Sequence, residues 1–449
     1  MIFDQVPREI LQFFLQFRIG HHLRQAGIKK GAGYSALNLF QLIFCLLFYN
    51  KNWYRILQGK NSDMLPGKNA VYRFLQTPTH AWRRFLHSVS KHVIDKINPL
   101  TSVSRIKVFI LDDSIYSRNR SKKVELLARI YDHASNKFIR GFYMLTLGWT
   151  DGCTFIPIDF SLLSSHKGSN RLCEQNEVDK RTNGFKRRQE ALLEKPAAAL
   201  KLLKNALQQG FSADYILMDS WFTHYPLVSS IYQMGLDVIG MIKPLKQRYL
   251  LNGQRYDLKG LYKQVKRKAT NKRKAIIGSI CVQAGDGLNI KIVFIRNRNK
   301  RNEWLAILST DMSLTDEEII RIYGMRWDIE TFFKSSKSLL QLAKEFQIRS
   351  YDGLIAHTTI VFTRYIFLAW QSRCNNDHRT IGDLFYIMCD EVKDITWVES
   401  LQKLVTLFDN VVNCEKNIDL DFLKNQLQEW ASYLPNSIKH SLAIPCWES

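Results

Sequence analysis

Apolar residues near the start of the chain recur at steps of three and four: Ile10, Phe13, Phe14 and Phe17, then Val71, Phe74 and Leu75, then Trp82, Phe85, Val89 and Val93. That spacing lines one face of a helix, so residues 1–100 read as a helical region. The longest apolar run within it, residues 36–49, is interrupted by Asn38 and Gln41. It is too short and too polar to span a bilayer and reads as a buried helix. A helical region of this kind suits either DNA binding or a structural cap.

The pattern changes at Val103. Residues 107–111 are a continuous run that predicts a buried strand ending on Asp112-Asp113-Ser114. Residues 126–131 and 141–149 predict two more strands, with 132–140 as the turn between them, and residues 154–160 add a fourth. The polar stretch 164–195 reads as an inserted loop. A helix over 196–209, with Leu200, Leu203 and Leu207 on one face, ends at Gly210. The short strand 215–218 then ends on Asp219, and a helix (225–234) and a strand (237–242) follow. Three antiparallel strands, the first ending in a carboxylate, then a helix and a second acid-tipped strand, is the order of a ribonuclease-H-like α/β fold.

From residue 243 basic residues dominate, Lys266-Arg267-Lys268 among them, with Tyr249, Tyr256 and Tyr262 interleaved and strand-like runs at 275–282 and 290–295. A basic, β-rich insertion with aromatics fits a nucleic-acid track, charge meeting phosphates and rings meeting bases; a merely solvated basic face is the alternative. A strand at 304–309 precedes Thr315, which with Glu318 forms a capping box. Residues 322–337 then read as one helix, with Tyr323, Arg326, Glu330 and Lys337 on roughly one side. Residues 354–370 form a core helix in which His357 reads as a satisfied core histidine, and the tail from 381 reads as helical and amphipathic. The chain thus divides into a helical N-terminal region (1–100), a core in two parts (101–242 and 313–375), the insertion (243–312) and a helical C-terminal region (376–449).

Composition narrows the function. The 449 residues can bury a large core, and 46% hydrophobic with 12% aromatic residues argues against disorder. A net charge of +23 favours a polyanionic partner, most simply nucleic acid. The eight cysteines contain no CxxC pair, which argues against a zinc ribbon. No secretory signal opens the sequence, which points to the cytoplasm and to free thiols.

Three carboxylates carry the candidate chemistry: Asp112 or Asp113, Asp219 and Glu330. Hard divalent cations take oxygen ligands, and two ions about 4 Å apart can activate an attacking oxygen and stabilise a leaving one. A single strand-end Asp is weak evidence, since turns favour Asp. The combination with a helix face offering carboxylate, phenol, guanidinium and ammonium is stronger. An ordinary i, i+4 ion pair between Arg326 and Glu330 is the competing reading.

The spacing of Tyr323, Arg326, Glu330 and Lys337 (two, three and six residues between them) resembles the signature of the insertion sequence 4 family of DDE transposases. Asp112-Asp113-Ser114, Asp219-Ser220-Trp221-Phe222 and the β-rich stretch before Glu330 are similar to that family as well. The resemblance covers residues 103 to about 350. It implies a ribonuclease-H-like mixed sheet with flanking helices, interrupted by the insertion, and cut-and-paste transposition of a bacterial mobile element. It implies that Asp112, Asp219 and Glu330 bind two magnesium ions, for which manganese can substitute, with Asp113 the alternative to Asp112. Tyr323, Arg326 and Lys337 would contact phosphates near the transposon end. The implied partner is double-stranded DNA, both transposon ends and target, bound by a homodimer at the nucleoid and not at a membrane. A ribonuclease-H-like nuclease that cuts without joining, and a non-catalytic repressor derived from a transposase, are the alternatives.

Overall fold

Strand β1 (Val108–Ser117) lies in the interior of one large sheet because its first four residues, Val-Phe-Ile-Leu, are buried whichever way they point. The computed structural model describes residues 6–390 except 50–52, 58–64, 103, 134, 269–274, 286, 298–299, 301–302 and 375–379, and beyond these Leu401 and Glu429. Most of the expected C-terminal helical region, and Lys272, Arg273 and Lys274 of the basic run, therefore lie outside the described residues.

Two neighbours flank β1. On one side runs β3 (Lys137–Thr150), antiparallel, with Asp112 opposite Thr146. The first part of β3 pairs with β2 (Ala128–Asp132) and the rest with β4 (Phe155–Leu163), whose nine residues are all buried. On the other side runs β5 (Tyr215–Met218), parallel to β1, and then β6 (Asp237–Ile242), parallel to β5. The order β4-β3-β1-β5-β6, three antiparallel strands continued by two parallel ones, is the ribonuclease-H-like core. The sequence places the turn before β3 too generously: residues 137–140 belong to the strand.

Helices cover both faces. The N-terminal helices α1 (Arg8–Gln16), α2 (Ile19–Gln25), α3 (Ala36–Leu46), α4 (Trp53–Leu57), α5 (Lys68–Gln76) and α6 (Trp82–Ile97) precede the sheet. Two helices, α7 (Asn183–Ala191) and α8 (Lys195–Gln208), join β4 to β5, and α9 (Tyr225–Tyr232) joins β5 to β6. Gly210, at φ +76°, lets the chain turn back after α8, a conformation that side-chain-bearing residues rarely adopt.

The insertion extends this sheet. It contributes β7 (Tyr249–Leu251), β8 (Gln254–Tyr256), α10 (Leu258–Lys268), β9 (Ile276–Ala284) and β10 (Leu288–Arg296). From β6 outward the order is β11 (Trp304–Ser309), β10, β9, β7 and β8. Lys266 and Arg267, read from sequence in a β-rich stretch, sit on helix α10. Helix α10 packs on β9, five strand spacings and so roughly 24 Å from β1.

The 24-residue α13 (Tyr351–Cys374) is mostly apolar and is buried on every side from Tyr351 to Trp370, which makes it the central helix of the core. It is long and apolar enough to cross a membrane, but its apolar window is wholly buried within the protein. Phe13 and Phe17 of α1 and its C-cap pack edge-on against Phe367 and Trp370, so the N-terminal helices share one core with α13. His357 is a core histidine as expected, but only half satisfied: its Nε2 lies 2.9 Å from Glu345, which also holds the fully buried Arg364, while its Nδ1 is buried without a hydrogen-bond partner.

The stretch 164–195 departs from the expected loop. Its second half is α7, and Arg187, Arg188 and Glu190 on that helix are buried. Glu190 binds Arg83 of α6 at 2.6 Å, and Arg188 binds Glu125 and Asp352 at 2.6 and 2.7 Å. Polar composition misleads here because each buried charge meets an opposite one, the condition under which ions enter a core.

Candidate active site

The site grows out of strand register. The parallel ladder between β1 and β5 ends with Leu111 opposite Met218. Asp112 and Asp219 are the next residues on the two chains, so two carboxylates leave adjacent strands side by side at their carboxyl ends, where ligands gather in open α/β sheets. Strand β1 continues through Asp112 and Asp113 to Ser117 because β3 keeps pairing with it. After Asp219 the chain turns: Oδ1 accepts hydrogen bonds from the backbone N–H groups of Trp221 and Phe222 at 2.9 and 3.1 Å, which fixes that carboxylate.

The third carboxylate arrives on a helix. The expected single helix over 322–337 is two: α11 (Asp316–Gly324), opened by the Thr315–Glu318 capping box, and α12 (Trp327–Ser338). Between them the bonds tighten to three-residue steps, with Met325 N–H donating to Ile322 and Arg326 N–H to Tyr323. Ile329, Phe332 and Phe333 bury one side of α12, and Phe332 packs against Phe155, Phe362 and Tyr365. Thr150 donates to Asp328 at 2.8 Å and pins the start of α12 to β3.

Pinned in this way, α12 reaches β1. The Arg326 guanidinium donates through Nη1 to Asp112 Oδ2 at 2.9 Å and through Nη2 to Glu330 Oε1 at 2.5 Å. Seven residues on from Glu330, Lys337 Nζ donates to Ser114 Oγ at 2.5 Å. Asp112 and Ser114, two apart on a strand, share a face, so both contacts lie on the α12 side of the sheet. Burial, reinforced by the charge of Asp219, pushes the Asp112 carboxyl up to about 7. Burial also pushes the Tyr323 phenol up to about 12 and lowers the Lys337 ammonium. Burial works against the Arg326 charge too, but Tyr323, Asp112 and Glu330 outweigh it.

Asp113 points the other way. Its Oδ2 receives Lys195 Nζ of α8 at 3.0 Å, and the same ammonium lies 3.7 Å from the Tyr143 ring centre and 4.6 Å from that of Trp221. Asp112 thus faces Arg326 and α12, whereas Asp113 is occupied by a lysine on the opposite face. The residues Tyr323, Arg326, Glu330 and Lys337 do gather around Asp112, although on two helices and not one. Lys266 and Arg267 stand well apart on α10.

Ser114 and Lys195 were not singled out from sequence. Alternation along β1 was a usable signal for Ser114, given Asp112. For Lys195 no sequence signal existed, because it meets Asp113 through folding alone.

Among the described residues, no three acidic, histidine or cysteine side chains stand close enough together to hold an ion as they are. The guanidinium of Arg326 is the cation between Asp112 and Glu330 in this structure. The donor set nonetheless suits a hard divalent ion. It offers only oxygens, and Asp112 and Asp219 leave adjacent strands side by side, so two carboxylates repel each other where a cation would relieve them.

The family comparisons cover this constellation. A model of the DDE superfamily endonuclease matches residues 60–271, which include Asp112 and Asp219. A model of the transposase DDE domain matches residues 195–367, which include Asp219 and Glu330. No curated protein matches the chain. The two matches support a DDE transposase or nuclease, an enzyme acting on DNA, of a class that generally uses divalent metal ions.

Proposed function

We propose that this chain, in keeping with its DDE-type matches, is a transposase of the insertion sequence 4 kind that cleaves the ends of a mobile element and joins them to target DNA. The observation that carries the reading is the register that leaves Asp112 and Asp219 side by side, with Glu330 brought to the same face by α12.

Asp112, Asp219 and Glu330 would hold two magnesium ions, or manganese in their place. Ions bound there activate the attacking oxygen and steady the leaving one. The chain's own residues do the rest. Arg326 changes partners: its planar fork, now on two carboxylates, turns to phosphate oxygens as DNA arrives. Tyr323, kept neutral by burial, donates a hydrogen bond to a phosphate. Lys337 contributes a point charge beside Ser114. Lys266, Arg267 and Lys268 add a distant contact to the duplex, and two copies of the chain bring two ends together in the cytoplasm. In the first step water attacks a phosphodiester and leaves a 3′-hydroxyl and a 5′-phosphate. In the second that 3′-hydroxyl attacks a target phosphodiester and displaces another 3′-hydroxyl.

The test uses a labelled end duplex, the sequence found at the borders of the element. Asp219→Ala and Glu330→Ala are each expected to abolish cleavage while DNA binding persists, since each removes an oxygen ligand and not a phosphate contact. Cleavage at the normal rate in either variant would rule the site out. The match to an endonuclease model favours one second reading, a nuclease that cuts without joining. Strand-transfer products from a pre-cut end separate the two: their absence, with cleavage intact, selects the nuclease.

A further inference from the structure

Beside the site, the end of β1 and the loop after it face the connector between α12 and α13 across a cleft of about 1220 Å³. Arg118, Arg120, Lys122 and Lys123 line one wall; Lys337, Lys344 and Arg349 line the other, and among the described residues no acid lines either. Elsewhere on this protein exposed cations often meet acids, as Lys91 meets Asp95 and Arg181 meets Asp179. Here the side chains of Arg120, Lys122, Lys123, Lys344 and Arg349 are exposed. Half-buried Arg118 is turned into its own wall: Nη1 reaches Phe346 O at 3.5 Å, the guanidinium lies 5.5 Å from the Tyr116 ring centre, and Nε and Nη2 are buried. The exposed cations are therefore the ones that face the cleft.

We infer that this cleft seats the sugar–phosphate backbone of the DNA arm that leads away from the cut, on one side of the scissile phosphate only. The inference rests on the proposed DNA-cleaving function and adds where the substrate runs. Continuity with the site argues for DNA over any other polyanion. Lys337 lines the cleft and also donates to Ser114, two residues from Asp112 on the same face. From Asp112 to Ile115, where β1 enters the cleft, is roughly 10 Å of strand. At about 3.4 Å per base pair that is roughly three base pairs of flank. The cations reach only backbone, so the arm is held whatever its sequence.

The test neutralises the exposed cations together, Arg120→Gln, Lys122→Gln, Lys123→Gln and Lys344→Gln, in the full chain. None belongs to the catalytic constellation or the core. Binding to a labelled duplex is measured from low to high salt, then repeated with the duplex trimmed close to the scissile phosphate on one flank or the other. The log–log salt slope is expected to flatten by about 0.9 for each phosphate no longer neutralised, about 3 to 4 in all. Trimming one flank is expected to erase the difference between wild type and variant, while trimming the other leaves it. An unchanged slope overturns the inference, as does a difference that survives both trimmings. Metal-dependent nicking of a trimmed duplex by both proteins keeps this outcome distinct from failure of the proposed function. If neither nicks, the function fails, while the slopes still decide the cleft.

Discussion

Asp112 and Asp113 stand next to each other on β1 and face opposite sides of the sheet. On one side Asp112 meets the Arg326 fork and the charge of Asp219, with Glu330 on the far end of the same guanidinium. On the other side Asp113 is matched one to one by Lys195, boxed between Tyr143 and Trp221. Burial raises the pKa of both; next in size, Asp219 pushes Asp112 up and Lys195 pulls Asp113 back, while Arg326 lowers the first and Asp219 raises the second to a lesser degree. The first setting has carboxylates in excess of cations and suits a metal ion. The second is balanced and suits structure. Two residues of the same type, one peptide bond apart, thus meet different partners through the pleat alone.

The comparison can be broken from the Asp112 side with the larger effect. Arg326→Lys keeps a charge but cannot span Asp112 and Glu330, nor grip two phosphate oxygens. Cleavage of an end duplex is expected to fall about tenfold to a hundredfold, since misplacing reacting groups has that scale. Lys337→Arg is expected to be milder, because a point charge is replaced by another cation. Steady-state cleavage across a magnesium titration reads both. If Arg326→Lys matched wild type in rate and end affinity, Arg326 would be an ordinary surface partner of Glu330.

From the Asp113 side the expected effect is smaller and falls on stability. Asp113→Asn leaves the largely buried Lys195 ammonium without its counter-charge, a destabilisation of about 1–3 kcal/mol on the scale of a buried group left unsatisfied. Denaturant unfolding should register it, and Lys195→Met in the same chain should recover much of it. A double variant no more stable than Asp113→Asn alone would show that the two residues are not coupled.

Much of this was legible in sequence, and what was missed has identifiable causes. The runs 107–111 and 215–218 announce buried strands, but only Asp219 follows a strand end; Asp112 stands within β1, which β3 prolongs to Ser117, and it is the ladder with β5 that ends before both acids. The spacing of Glu330 from Arg326 and Lys337 survives because both lie within or next to one helix, α12. Sequence put Asp112 only slightly ahead of Asp113, as the residue that directly follows the apolar run; the partner that distinguishes their surroundings, Lys195, comes from a helix more than eighty residues away. The break between α11 and α12 had one signal, Gly324 at the end of α11, which was outweighed because residues 322–337 hold no proline and the apolar steps run through the junction. The buried charges of α7 were invisible for a related reason: Arg83, Glu125 and Asp352, which neutralise them, are scattered along the chain.

The most direct measurement sets Asp112→Asn and Asp113→Asn side by side, with cleavage of a labelled end duplex followed across a magnesium titration at pH 8, above the Asp112 pKa of about 7. Asp112→Asn is expected to lose about a thousandfold or more at every magnesium concentration, the scale of removing a principal transition-state stabiliser. Asp113→Asn is expected to stay within about tenfold of wild type once its folded fraction is corrected for, because it removes no ligand. The reverse order, with Asp113→Asn inactive and Asp112→Asn active, would contradict the assignment of the metal-holding face to Asp112.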